Sequence, residues 1–319
     1  MWRARPRWPG TSTPFPCVFF VCYTSRMHVV RKLSATQIST WKQCPLYYRF
    51  QYVEFRERSF TPIEWEAGSI VHNIVAQLMV EFRSRSQFRG CVGMVQNPRW
   101  FEKAYEKATV ALRQAVESGA VHVIRPGDVV EDYVAQGERA LENFTGEVLP
   151  SLQGRRILGV EADLGNFRLA KTPILGRLDL VVRADAQTAE PPEPGIASVV
   201  EVHDWKTGRR RDEDALQARI YYFAAVAKYR APETRFCFHY LNYEPGEITE
   251  SYEFSEDQLT ELAQEVAETR ASIEAEEEFA PRASTLCHWC PYGPVCPQGQ
   301  AFMREHPLAG AGEAEVLEL

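Results

Sequence analysis

The spacing of hydrophobic residues changes partway along the chain. In the first half, apolar residues recur every three or four positions over residues 66–84, 100–118 and 129–149, which is the period of an amphipathic helix. Ser34 and Gln37 form a capping-box pattern, which predicts another helix from about residue 35 to Pro45. The pattern therefore predicts N-terminal helices over residues 31–84 and a helical insertion over residues 85–150.

The second half alternates strands with helices. Short segments rich in β-branched residues, which are typical of strands, occur at residues 156–162, 166–170, 174–182, 197–205, 234–243 and 249–254. Helices are predicted at residues 212–229 and, after a cap at Ser255, as far as about residue 278. This mixture predicts an α/β fold with a central mixed sheet flanked by helices. The core spans residues 151–280, and a Cys-rich segment (281–299) and a flexible tail (300–319) follow it.

Residues 1–30 differ from the rest of the chain. A basic stretch precedes a short apolar one at residues 15–23, the order found in signal peptides, but prolines interrupt both. We interpret this segment as a disordered or spurious extension upstream of a start at Met27. No apolar run reaches the ~18–20 residues that a membrane helix needs, so we expect no membrane partner.

Composition and charge narrow the function classes. With 319 residues, 45% hydrophobic and 25% charged, the chain is not a mostly disordered one. Its net charge of −7 is unevenly distributed, because residues 244–319 contain 17 acidic and 3 basic residues. The remaining part carries a net positive charge, and a basic body can bind a polyanion such as a nucleic acid.

The strongest chemical feature lies at the end of an apolar strand. Asp204 and Lys206 are two residues apart there, so their side chains project to the same face. A carboxylate can bind a divalent cation, and the ammonium beside it can polarise a water molecule and stabilise phosphate charge. Asp179, on a neighbouring predicted strand, is a second candidate carboxylate. Each residue alone is more often a turn, cap or surface residue, and the functional interpretation depends on the set.

Three further side chains complete the set. His72 lies on the predicted helix that follows Gly68. Gln217 and Tyr221 are four residues apart, so they share one face of the helix after the lysine strand. Alone, His72 would be read as an ordinary core or surface histidine, and the other two as packing residues.

In this order, these motifs resemble the PD-(D/E)XK nuclease superfamily and, within it, the RecB-like exonucleases. The resemblance spans about residues 33–299 and implies a restriction-endonuclease-like core. It implies that a divalent metal, Mg²⁺ or Mn²⁺, is bound by His72, Asp179, Asp204 and the Trp205 carbonyl. It also implies that Lys206 assists the nucleophilic water and that Gln217 and Tyr221 order the site and contact DNA. Glu161 matches a further acid of RecB-like members, and Arg177 occupies the position of the proline in the superfamily's name.

Cysteines form a second candidate site. Cys287-x2-Cys290-x5-Cys296 is compact enough to ligate one metal centre, and Cys44, which also precedes a proline, is the candidate fourth ligand. The resemblance implies a 4Fe-4S cluster, as in RecB-like nucleases with an iron–sulfur staple. A structural Zn²⁺ is the alternative, and His288 could replace Cys44. Ligated thiolates favour a reducing compartment, and we expect a cytoplasmic protein.

The sequence therefore predicts a metal-dependent DNA nuclease, an exonuclease on single-stranded or end-containing DNA that acts in repair or recombination. Basic residues would bind DNA phosphates in two clusters, Arg209–Arg211 beyond the metal site and Arg49, Arg56 and Arg58 among aromatic residues. No G-x-x-x-x-G-K-[ST] motif occurs, so any unwinding would need a separate helicase partner. The alternatives are a non-catalytic DNA-binding or scaffolding subunit, or a CRISPR-adaptation-type nuclease.

Overall fold

The computed structural model describes residues 29–84, 98–184, 199–231 and 233–309. Residues 1–28 of the predicted extension (1–30) and residues 310–319 of the predicted tail (300–319) lie outside these ranges. Within the described ranges, every helix is too short or too polar to cross a lipid bilayer.

The N-terminal elements are mainly helical, as predicted. In chain order they are β1 (Leu33–Ser34), α1 (Ala35–Gln43), α2 (Pro45–Tyr48), a π-helical turn (Arg49–Val53), β2 (Thr61–Pro62) and α3 (Ile63–Ser84). Ser34 caps α1, because its hydroxyl accepts a hydrogen bond from the Gln37 amide at 3.1 Å.

The helical insertion contains two long helices joined by a short strand. Its elements are α4 (Pro98–Glu117), β3 (Val121–His122), α5 (Val130–Asn143), a π-helical turn (Phe144–Val148) and α6 (Leu149–Ser151). Helix α5 begins after the break that Pro126 and Gly127 mark in the sequence.

The remaining strands and α-helices build the core, apart from the last helix, which follows the Cys-rich turns. They are β4 (Arg156–Asp163), β5 (Arg168–Leu169), β6 (Thr172–Leu175), β7 (Arg177–Arg183), β8 (Val199–Lys206), α7 (Asp214–Tyr229), β9 (Glu233–Tyr240), β10 (Thr249–Tyr252), α8 (Glu256–Ala275) and α9 (Pro297–Glu305). Helix α9 continues to Glu305, so the first part of the predicted tail is helical.

A five-stranded mixed sheet forms the centre of the molecule, in the order β10-β9-β8-β7-β4. Strands β8 and β9 are parallel, and the other neighbours are antiparallel. Helices α1, α7 and α8 pack on one face through residues such as Ile38, Ile220 and Val266. Helices α3, α4 and α5 pack on the other face. This is the α/β core that the sequence predicts, a mixed sheet with helices on both sides.

One predicted strand is divided in two. Residues 174–182 are predicted as a single strand, but the chain leaves β6 at Leu175 and enters β7 at Arg177. Gly176 lies at this break, and a Cβ there would be 2.8 Å from Tyr221 Cε1, so only glycine fits against the ring. The single-strand prediction is therefore wrong, because hydrophobic pattern alone does not show where a continuous apolar run changes sheet.

Candidate functional site

The end of strand β8 holds a carboxylate and an ammonium side by side. Val200 and Val202 pack into the core on the α7 side of the sheet, whereas Trp205 packs on the α3–α5 side. Strand alternation therefore turns Asp204 and Lys206 towards α7. Lys206 Nζ lies 2.7 Å from Asp204 Oδ1, and the Asp204 side chain is only 3% exposed.

Gln217, near the start of α7, bridges this pair. Its Nε2 donates to Asp204 Oδ2 at 2.8 Å, and its Oε1 accepts a hydrogen bond from Lys206 Nζ at 2.7 Å. A glutamine can do both because its amide carries a donor and an acceptor. The bridge fixes both charged side chains relative to each other and to the helix.

Asp179 and His72 approach the same place from other elements. Asp179 lies in β7, beside β8, and its Oδ2 accepts a hydrogen bond from the Trp205 amide at 3.0 Å. His72 belongs to α3, and its Nδ1 lies 3.4 Å from Asp179 Oδ2. Residues from β7, β8, α3 and α7, distant in sequence, thus meet at one end of the sheet.

Burial and close carboxylates set the protonation states of this group. Burial, reinforced by the Asp204 carboxylate, holds the pKa of Asp179 well above its usual range. Burial alone would lower the pKa of Lys206, but the nearby carboxylates, Asp204 foremost, together outweigh burial and the pKa is raised. Burial lowers the pKa of His72, which favours the neutral imidazole that can ligate a metal. A cation beside the two carboxylates would relieve their repulsion.

Tyr221 lies beneath these residues rather than in the open. It is 9% exposed, and its ring packs against Gly176. Burial, followed by the charges of Asp204 and Asp179, raises the pKa of its hydroxyl. Tyr221 is absent from the described lining of the adjoining cleft. Its position suits ordering of the site from below, and the expected contact with DNA does not fit this burial.

Glu161 is held in an unusual backbone conformation close to the site. Its φ is +47°, in the left-handed region that side chains other than glycine seldom adopt. Its charge contributes to raising the pKa of Asp179, and Arg177 Nη1 lies 3.6 Å from its Oε2. Arg177, which stands where the superfamily has a proline, thus pairs with this acid.

Within the residues that the structure describes, no three His, Cys, Asp or Glu side chains stand close enough together to hold one metal ion. At the end of β8, Asp204 is instead engaged by Lys206 and Gln217. Asp204 Oδ1 is buried and lies 2.7 Å from the Lys206 ammonium. The donor set of two carboxylates, one imidazole and a backbone carbonyl suits Mg²⁺ or Mn²⁺.

These residues open into a cleft of about 1220 Å³. His72 and Lys206 line it, together with the loop that links β8 to α7. Sequence reasoning missed several other lining residues, from α3 and the helical insertion: Trp65, Arg125, Gln136 and Arg139. The period of α5 in the sequence identifies its polar side, but it does not show which element that side meets.

The predicted basic run beyond Lys206 is not uniform. Arg210 Nε forms an ion pair with Glu250 at 2.6 Å, and its guanidinium lies over the Tyr243 ring at 4.2 Å. Arg209 and Arg211 are exposed, and neither side chain has an ion-pair partner among the described residues. Arg210 is therefore held by the protein, and its two neighbours are available to a ligand.

The four predicted cysteines, Cys44, Cys287, Cys290 and Cys296, line a second cavity of about 410 Å³. It adjoins the cleft and shares Trp65 and Arg125 with it. Backbone amides approach three of the sulfur atoms: Arg282 N at 3.5 Å from Cys44, Ser284 N at 3.4 Å from Cys287 and Gly299 N at 3.3 Å from Cys296. Such hydrogen bonds stabilise ligating thiolates.

The environment of the cysteines distinguishes them from His288. Burial, together with the smaller effect of the three nearby thiols, raises the pKa of Cys290 to about 11. His288 Nε2 instead contacts the His306 carbonyl at 2.9 Å, and His288 is absent from the described cavity lining. Cys44, rather than His288, is therefore placed with the other three cysteines.

Comparison with known families gives one match. A sequence model of the PD-(D/E)XK nuclease superfamily matches residues 32–297. No curated protein matches the chain.

Proposed function

Because the chain belongs to the PD-(D/E)XK nuclease superfamily, we propose that it is a metal-dependent deoxyribonuclease whose active site is the end of strand β8. The observation that carries this proposal is the unit formed by Asp204, Lys206 and Gln217, in which one amide links a buried carboxylate to an ammonium at 2.8 and 2.7 Å. Asp179 and His72 lie beside this unit. DNA is the substrate that the superfamily implies.

Each residue has a role that follows from its position. Asp204, Asp179, His72 and the Trp205 carbonyl would hold Mg²⁺ or Mn²⁺. When bound, such an ion acidifies a water molecule and neutralises phosphate charge. Lys206, which its carboxylate neighbour keeps protonated, orients the attacking water and stabilises the developing charge on the phosphate. Gln217 holds the side chains of Lys206 and Asp204 in position by its two hydrogen bonds, and Tyr221 packs beneath them.

Substitution of Lys206 tests the assignment. Purified Lys206→Ala protein should cleave no DNA with Mg²⁺ or Mn²⁺ while it keeps the circular dichroism spectrum of the wild type. Lys107→Ala, at an exposed position of α4, is the matched control and should cleave like the wild type. Undiminished cleavage by the Lys206→Ala protein refutes the proposal.

We further propose a RecB-like exonuclease that acts on single-stranded or end-containing DNA in repair or recombination. The support is the order of motifs from His72 to the C-terminal cysteines. Linear and circular single-stranded DNA of one sequence separate this activity from an endonuclease, because only the linear molecule has ends. Cleavage of both at equal rates contradicts the exonuclease assignment. Co-purification tests for a helicase partner.

The cysteine cavity is proposed to hold a 4Fe-4S cluster. The support is that the four cysteines line one cavity and that backbone amides are directed at three of the sulfur atoms, as suits ligated thiolates. A structural Zn²⁺ is the alternative, because four thiolates suit it as well. Iron content and visible absorbance of anaerobically purified protein test the cluster proposal, and stoichiometric zinc without iron overturns it. Cys237→Ala, in the sheet, is the control that should leave iron content unchanged.

A further inference from the structure

Helix α5 directs one polar side towards the cleft that contains His72 and Lys206. At its start, the Tyr133 hydroxyl donates to Asp128 at 2.9 Å and lies 3.4 Å from Glu64 Oε1. At its end, Asn143 Nδ2 donates to the carbonyl oxygens of Leu241 and Tyr243, at 2.8 and 3.0 Å. Both ends of this side are therefore attached to neighbouring elements.

The rotation of α5 about its axis is fixed from its other side. Tyr105 of α4 donates to the Val134 carbonyl at 2.6 Å. A Cβ on Gly137 would overlap the Tyr105 ring, so α4 and α5 make a close contact that only glycine permits. Gln136 and Arg139 share one face of α5, since they are three residues apart. This face is opposite the one on which Gly137 and Val134 meet Tyr105. Gln136 and Arg139 line the cleft that also contains His72 and Lys206.

Arg139 is exposed and has no ion-pair partner among the residues that the structure describes. In the same insertion, by contrast, Arg113 binds the Glu131 carboxylate through two nitrogens, at 3.0 and 2.9 Å. Among the described residues, six acidic ones line the cleft. Glu64, Asp128, Glu213 and Asp214 accept hydrogen bonds from protein groups, and Glu244 and Glu247 are the other two. An unpaired guanidinium in such a cleft is suited to bind an anion from solution.

We propose that Arg139 binds a backbone phosphate of single-stranded DNA, so that α5 forms one wall of a single-strand groove and the loop with Arg209 and Arg211 forms another. This inference depends on the proposed nuclease function, because it places a DNA strand over Asp204 and Lys206. It assigns to the helical insertion a part in substrate binding, in addition to the nuclease core.

Aromatic residues of the same cleft favour a single strand over a duplex. The lining includes Tyr47, Tyr52, Trp65 and Tyr243, and the Arg58 guanidinium lies over the Trp65 ring at 5.3 Å. Aromatic rings stack on unpaired bases. In a duplex the bases are stacked on each other and present only their edges in the grooves, so stacking of a base on these rings requires single-stranded DNA.

Binding of a labelled single-stranded oligonucleotide, measured by fluorescence anisotropy in EDTA, tests the groove without cleavage. Arg139→Gln should weaken binding several-fold and reduce the slope of log K against log salt by about 0.7, the value for one phosphate contact on a single strand. Arg139→Lys keeps the charge and should retain most of the slope. Arg113→Gln, in the same insertion, is the matched control and should leave affinity and slope unchanged.

Three results would contradict the proposal of a single-strand groove. They are unchanged affinity and slope for Arg139→Gln, an equal loss for Arg113→Gln, and an equally large effect of Arg139→Gln on blunt duplex DNA. The nuclease proposal fails separately. If cleavage depends on Lys206 but DNA binding and cleavage do not change in Arg139→Gln, only the groove proposal is contradicted. If Arg139→Gln weakens DNA binding but the wild-type protein cleaves no DNA, only the nuclease proposal is contradicted.

Discussion

At the scale of single residues, Gln217 fixes the relative positions of the Asp204 and Lys206 side chains. It donates to Asp204 and accepts from Lys206, so neither charged side chain can rotate away without breaking a hydrogen bond. Side chains that orient metal-site residues by hydrogen bonds typically contribute 10–100-fold to activity. Gln217 thus acts as a positioning residue for the two groups that bind metal and water.

Two substitutions of Gln217 distinguish its donor from its acceptor. Gln217→Ala removes both and should slow cleavage about 10–100-fold. Gln217→Glu keeps an acceptor for Lys206 but places a second carboxylate against Asp204, so we expect a larger loss. Single-stranded DNA binding in EDTA should change little in either variant. Equal cleavage rates for Gln217→Glu and wild type would show that the donated hydrogen bond is unimportant.

The environments of the arginines that follow Lys206 could not be predicted from the sequence. Three consecutive arginines, Arg209 to Arg211, are indistinguishable by composition. The structure separates them because Glu250 and Tyr243, which hold Arg210, come from a distant part of the chain. Contacts of this kind arise from the fold, and no local pattern encodes them.

At the scale of elements, α3 makes a close approach to the end of β8. A Cβ on Gly68 would lie 2.8 Å from Thr207 Oγ1. Thr207 follows Lys206 directly, so the glycine allows the helix that carries His72 to lie against the strand end that carries the lysine. The geometry of the site depends on this contact between two elements.

Gly68→Ala tests the close approach. Alanine at a helical position normally stabilises by up to about 1 kcal/mol relative to glycine, but here it should displace Thr207 and slow cleavage about tenfold, a shift of about 1.4 kcal/mol in the activation barrier. Removal of the Thr207 side chain in the double variant Gly68→Ala/Thr207→Ala should restore most of the rate. Cleavage rates and urea unfolding are the measurements.

Gly146→Ala is the control for that comparison. A Cβ at Gly146 meets no atom within 4 Å, so this variant should be unchanged in activity and equal or greater in stability. If Gly68→Ala and Gly146→Ala behave alike, the approach of α3 to β8 has no bearing on the site.

The elements themselves were largely predictable, because each has a local signal. Helical periodicity identified α3, and the Ser255 cap placed the start of α8, where the hydroxyl accepts a hydrogen bond from the Gln258 amide. Strand alternation turns Asp204 and Lys206 to one face. The break at Gly176 and the position of α5 beside the cleft were not predictable, since both depend on rings, Tyr221 and Tyr105, that pack from other elements.

At the scale of the whole molecule, the fold distributes acidic and basic side chains unevenly over the surface. The acidic helix α8 lies against basic side chains of the core, since Glu265 forms ion pairs with Lys42 and Arg219, at 2.5 and 2.7 Å. Part of the negative charge of the C-terminal region is thereby neutralised on the α8 face of the sheet. Arg139, Arg209 and Arg211, which have no ion-pair partner among the described residues, line the cleft, so a net charge of −7 is compatible with binding a polyanion.

Contacts between the two ends of the chain also hold the molecule together. Tyr292, 2% exposed, packs edge-on against Tyr47 and Phe50, and its hydroxyl donates to Gln51 Oε1 at 2.9 Å. The Cys-rich segment is therefore attached to the N-terminal helices by packing as well as by any metal centre. We therefore expect Cys44 to meet the other three cysteines only while this packing is intact.

Tyr292→Ala separates packing from ligation. Loss of a fully buried aromatic side chain should lower the free energy of unfolding by about 3–5 kcal/mol, and the bound metal per chain should fall, because the three C-terminal cysteines lose their position relative to Cys44. Phe55→Ala, at a ring that is 78% exposed in the same N-terminal region, is the matched control and should stay within about 0.5 kcal/mol of the wild type. Urea unfolding and metal analysis measure both effects. A Tyr292→Ala protein with wild-type metal content would mean that the cysteines assemble without this contact, and that the metal centre itself joins the two ends of the chain.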